Sequence, residues 1–172
     1  MTHSSHSYSV AFLHAIHYLL PVEGGYVNDP HDRGGETRYG ISKRSYPHLD
    51  IRTLTKADAT EIYYRDFWLT AGCERIPSGI SLVVFDSAVQ HGVVSAIRLL
   101  QRAVAVRDDG ILGSQTQTAL AATAPDYLLH RLLNQRARYY AQIIARNPLQ
   151  QRFLNGWFNR LDHLVQAALE VV

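Results

Sequence analysis

The chain has one cysteine and one methionine in 172 residues, and a lone Cys73 excludes an internal disulfide. The fold therefore does not depend on an oxidising compartment, and its stability must come from packing. Six prolines and 19% charged residues, beside 47% apolar ones, exclude a disordered chain. Long hydrophobic runs are absent too. The apolar stretch Val10 to Leu20 is interrupted by His14 and His17 and falls short of the ~20 residues a membrane span needs, so no stable membrane insertion is expected. Met1 to Ser9 carries no Lys or Arg, so the start lacks the charged region of a secretory signal. If the target lies outside the cytoplasm, something other than such a signal must carry the protein there.

Clusters of one charge are also missing. The net charge is +2, and the basic residues are scattered. Arg131, Arg136 and Arg138 read as a solvated helix face, and no nucleic acid is expected as a partner. Nine histidines are present, but His14 and His17 do not form an H-x-x-x-H pair and there is no second cysteine, so neither metal nor other cofactor is expected. Asp108-Asp109-Gly110 lacks the alternating oxygens and terminal Glu of a calcium loop, which leaves a tight turn.

What is present is helical periodicity. Phe12, Leu13, Ile16, Leu19 and Leu20 recur at helical spacing behind Ser7 or Ser9 as a cap, until Pro21 and Gly24-Gly25 disrupt the pattern. Glu23 thus falls at or just past the end of the first helix. Between Tyr26 and Ile41, turn residues and the alternation Thr37-Arg38-Tyr39-Gly40-Ile41 predict an irregular loop with a small hairpin. Thr55-Lys56-Ala57-Asp58 resembles a capping box and starts another helix. Ser78 opens an apolar run ended by Gly92, expected as a central buried helix. Helices follow at about 93–106, 114–122, 125–146 and 150–170. At 172 residues one core suffices, since a chain of this size buries roughly 70% of its unfolded surface. A single domain over 1–172 is predicted, with lobes at about 8–75 and 76–172, and a monomer.

Glu23, Asp29, Asp32 and Glu36 place four carboxylates within a short stretch. Glycoside cleavage needs an acid for the leaving oxygen and a second polar group to activate water or stabilise positive charge on the sugar. Glu23 follows Leu19, Leu20, Pro21 and Val22, which predicts a partly desolvated carboxyl and makes it the best acid candidate. Asp29 reads as a turn former and Glu36 as a surface residue. Tyr26, Tyr39, Tyr63 and Trp68 are candidates for stacking on sugars, with Tyr39 the best, although aromatics at helical spacing more often fill cores.

The stretch EGGYVNDPHDRGGETRYGIS, Glu23 to Ser42, resembles the glycoside hydrolase 108 family of phage endolysins and secretion-associated muramidases. Similarity continues through DATEIYYRDFW at Asp58 to Trp68, FDSAVQHG at Phe85 to Gly92, DDGILGSQT at Asp108 to Thr116, and FLNGWFNR at Phe153 to Arg160. The resemblance implies a mainly α, lysozyme-like helical fold with one small hairpin beside the substrate groove, and a later half resembling a peptidoglycan-recognition region. It implies Glu23 as catalytic acid, with Asp32 and Thr37 as further catalytic residues; Tyr26 and Tyr39 are expected to bind substrate. Val22 stands where the family often has His, and Gln90-His91 where Asn-Ser is more usual; neither of the latter is expected to be catalytic. The implied activity is a muramidase, made in the bacterial host cytoplasm and acting on the cell wall, that cuts the β-1,4 bond between N-acetylmuramic acid and N-acetylglucosamine in peptidoglycan. Three rivals remain: a lytic transglycosylase using the same Glu, a non-catalytic peptidoglycan-binding protein, and a zinc peptidase or amidase of the wall.

Overall fold

The computed structural model describes residues 7–28 and 35–171. Within them the chain is mainly α, 68% helical with seven helices and one two-stranded antiparallel sheet, which is the expected class. It divides into two compact units, Met1–Asp66 and Phe67–Val172.

In the first unit, α1 runs Val10–Glu23, with the Ser9 hydroxyl accepting from the Phe12 amide at 3.2 Å. The buried stripe is Phe12, Ala15, Ile16 and Leu19, while Leu13 is 48% exposed, so the predicted apolar face is rotated toward Ala15. Pro21 lies inside the helix rather than ending it. So close to the terminus the loss of one amide donor does not stop the helix, and Gly24 ends it at φ 76°. Tyr8, Phe12 and Tyr64 form an aromatic cluster with centroids 4.8–5.0 Å apart.

Strands β1 (Thr37–Arg38) and β2 (Ile41–Ser42) pair in the register Arg38 to Ile41. Their two-residue turn, Tyr39 at φ 51° and Gly40 at φ 76°, has the positive dihedrals of a hairpin turn whose twist matches the strands. Val27 and Thr37 exchange both backbone hydrogen bonds at 2.8 Å, closing the loop between them. Helix α2, Lys56–Tyr63, begins in the predicted capping box: the Asp58 amide donates to Thr55 Oγ1 at 3.1 Å, and the Thr55 amide donates to an Asp58 carboxylate oxygen at 3.0 Å. The chain then widens into a π-helical turn, Tyr64–Leu69.

In the second unit, α3 (Ser78–His91) is buried at every position from Gly79 to Ala88 and packs against α4 (Val93–Ala103), α6 (Pro125–Arg146) and α7 (Leu154–Leu169). Helix α5 spans Ser114–Ala121. Residues 148–153 form a 3-10 segment before α7, where the sequence reading began the last helix. The Asp109-Gly110 turn is tight: Asp109 accepts from the Ile111 amide at 2.9 Å, and buried Gln101 accepts from Gly110 and donates to Asp109. Cys73 is buried, which pushes its thiol pKa up and leaves it unreactive.

Arg136 corrects the sequence reading. Rather than lying on a solvated face with exposed Arg138, it is fully buried, with a guanidinium nitrogen 2.5 Å from Asp86 Oδ2. It shares the inward stripe of Leu128, Leu132 and Tyr140. Arg160 donates to Asp86 Oδ1 at 2.8 and 2.9 Å. Arg136 also donates to Tyr140, Ser87 and Gln90, so Gln90 holds the cluster together. Burial alone would raise the Asp86 pKa; the two guanidiniums outweigh it and hold the carboxyl below its ordinary range.

His91 lies on the same cluster, its ring edge-on to Tyr139 and Tyr140. Burial, reinforced by the positive charge of Arg136, pulls its pKa down to about 4.

Removing one partner strands a buried charge, so Arg136→Met is expected to lower unfolding free energy by about 3–5 kcal/mol in urea titrations. The imidazole stays neutral in the folded protein while the unfolded chain protonates near pH 6.5. Its contribution to stability is therefore whole above that pH and is lost as pH falls toward 4, by roughly 3 kcal/mol. Asp86 titrates on the acid side of this window. Urea midpoints between pH 7 and 4 are expected to fall more steeply for the wild type than for His91→Gln.

Candidate active site

Glu23 is the last residue of α1 and is half-buried. Val22 beside it is 41% exposed, so it supplies little of the apolar surrounding expected of it. The partial shielding comes instead from the hairpin. A Cβ built on Gly40 would fall 2.8 Å from Glu23 Oε2, 3.0 Å from Glu23 Cβ and 2.4 Å from the Tyr63 hydroxyl oxygen. A side chain there would force the Glu23 carboxyl and the Tyr63 hydroxyl to shift, and φ 76° independently favours glycine. The Tyr39-Gly40 turn therefore lies directly against the Glu23 carboxyl, and the Tyr63 hydroxyl donates to the Tyr39 carbonyl at 2.8 Å.

Of the other expected site residues, Thr37 is on β1, half-buried, its hydroxyl donating to the Gly35 carbonyl at 3.5 Å. Tyr39 occupies the first turn position, with the Arg38 guanidinium 5.3 Å over its ring. Tyr26 is 40% exposed and its hydroxyl donates to Glu36 at 3.1 Å; Arg52 is 3.8 Å from the same carboxylate oxygen. Glu36 is thus engaged as an ion-pair and hydrogen-bond partner. Asp32, like Asp29, lies outside the described residues.

Trp68 is fully buried, donating to Glu74 at 2.7 Å and meeting Phe85 edge-on, so it is core and not a sugar platform. Tyr63 is likewise 1% exposed. The site residues that sequence reasoning missed are Gly40 and, in its actual role, Tyr63. A Tyr-Gly pair inside an alternating run signals a tight turn, but nothing local names the carboxyl that the turn will touch.

Residues 16–92, which contain this whole arrangement, match the model of glycosyl hydrolase 108. Over that span the chain is matched to the glycosyl hydrolase 108 family. Residues 95–162 match a second model, described as a predicted peptidoglycan domain. The chain is similar to the solved structure of SagA from Brucella abortus, with 28% identity and a TM-score of 0.81 over 93% of this chain and 94% of that one. No curated protein matches. The two family matches support a glycoside hydrolase that acts on peptidoglycan. No helix among the described residues is long and apolar enough to cross a membrane.

The contact at Gly40 is directly testable. Gly40→Ala introduces both strain and a collision, and is expected to cost about 1–3 kcal/mol. Gly25→Ala, where nothing lies within 4 Å, is expected to stay within about 0.5 kcal/mol of wild type. Thermal unfolding of the two variants side by side checks the difference.

Proposed function

We propose that this glycosyl hydrolase 108 enzyme is a muramidase of the endolysin type. It hydrolyses the β-1,4 bond between N-acetylmuramic acid and N-acetylglucosamine, with Glu23 as general acid. The observation that carries the reading is the Glu23 carboxyl at the end of α1, set against the Tyr39-Gly40 turn inside the family-matched segment. A carboxyl held in place and partly shielded from water is suited to protonate a leaving glycosidic oxygen as positive charge develops on the sugar.

Asp32 and Thr37 position the attacking water in this mechanism. A threonine hydroxyl that donates to Gly35 keeps oxygen lone pairs to accept from water. Direct attack by that water inverts the anomeric configuration, whereas a covalent Asp32 intermediate would retain it. Tyr39, at the first turn position, and the half-exposed Tyr26 serve as sugar contacts. The enzyme acts as a monomer on the cell wall after synthesis in the cytoplasm.

Digestion of Gram-negative peptidoglycan with wild type and Glu23→Gln, followed by borohydride reduction and mass spectrometry, tests the assignment. Reduced muramic-acid ends are expected from the wild type, and a loss of at least a hundredfold in their release from the variant. Anhydro-muramic ends would make the enzyme a lytic transglycosylase. Free peptides, sensitive to chelation, would make it a zinc peptidase or amidase, and binding without product would leave only a wall-binding protein.

A further inference from the structure

We infer that Tyr63 is a positioning residue for the reaction: its buried hydroxyl, by holding the Tyr39 carbonyl, fixes the hairpin turn against Glu23 and so fixes where the acid's proton lies. The inference rests on the reading of Glu23 as general acid. Three observations carry it. Tyr63 is the final residue of α2, at the junction where the helix widens into the π-helical turn Tyr64–Leu69, and such insertions displace the side chains beside them from regular helical positions. Its ring is 1% exposed, so packing immobilises the hydroxyl. That hydroxyl donates to Tyr39 O at 2.8 Å, and both it and Glu23 Oε2 lie within 2.8 Å of the position a Gly40 Cβ would take. Turn, hydroxyl and carboxyl thus converge on one point.

The turn is only two residues long, with both φ values positive, and its strands are two residues each. So short a hairpin cannot hold its own tip rigidly, because an isolated two-stranded hairpin is marginal in water. The bond from Tyr63 ties the tip to the core of the unit. Glu23 is at a helix end, where the backbone frays most readily, and the turn packed on its Cβ and carboxyl limits the positions open to it. A proton donor must come within about 2.6–3.2 Å of the leaving oxygen, and misplacement by about 1 Å costs on the order of a hundredfold in rate.

The test compares Tyr63→Phe, Glu23→Gln and Ile62→Val on soluble peptidoglycan glycan strands, well below the unfolding temperature of each variant. Ile62 neighbours Tyr63 in the same core and is 6% exposed, so its truncation loosens packing without removing a hydrogen bond. Tyr63→Phe is expected to lower kcat about ten- to a hundredfold with KM within about twofold. Ile62→Val is expected to retain kcat, and Glu23→Gln to lose activity. Wild-type kcat in Tyr63→Phe while Glu23→Gln is dead would overturn the positioning role and leave the acid assignment standing. So would a change in KM alone, or an equal loss of kcat in Ile62→Val. An active Glu23→Gln would overturn the acid assignment and the inference with it.

Discussion

With hydrogen in place of a methyl group at position 40, the tip of a two-residue turn can press against a carboxyl that a Cβ would hold off. This close approach of Gly40 to Glu23 and to the Tyr63 hydroxyl governs the arrangement of the first unit. Helix α1 must end at Glu23 for the carboxyl to reach the turn, and Gly24 ends it there. The strands must be in the register Arg38 to Ile41 for Tyr39 and Gly40 to form the tip, since a slip of one residue would reverse every side chain. Tyr63 must sit where α2 gives way to the wider turn for its hydroxyl to meet the Tyr39 carbonyl.

The second unit solves a different problem. Its central helix, α3, is buried along ten consecutive residues, and Asp86 among them cannot be left charged without partners. Arg136 from α6 and Arg160 from α7 supply them, tying three helices through one carboxylate. A buried ion pair of this kind does little to raise net stability relative to an apolar core, but it penalises any packing that separates the partners. Gln90, Ser87 and Tyr140 satisfy the remaining donors of Arg136, which explains why polar residues occur in an otherwise apolar helix run.

Much of the fold was legible from local patterns. The Thr55 capping box, the end of α3 at Gly92, the start of α6 at Pro125 and the hairpin alternation depend on residues close in sequence, where backbone sterics and hydrogen-bonding needs act directly. Pro21 misled as a stop signal because its missing donor costs little so near a helix end. The last helix misled because Asn147-Pro148 opens a 3-10 turn before α7 and not the helix itself. Arg136 and Arg138 are indistinguishable as residue types, and the structure separates them by placing Arg136 on the buried stripe with Leu128, Leu132 and Tyr140.

For the site, the sequence by itself determined that a glutamate would stand at the end of α1, followed by glycines and a short hairpin, because capping and turn chemistry are local. It also carried the motif on which the resemblance to glycoside hydrolase 108 rests. Only the tertiary structure decided that the hairpin tip rests on that carboxyl, that Tyr63 reaches the Tyr39 carbonyl across 24 positions of sequence, and that Asp86 meets arginines 50 and 74 residues away. These contacts join residues distant along the chain. Which distant partners meet is settled by how helices pack and by which buried polar groups must find one another, and no local pattern carries that information.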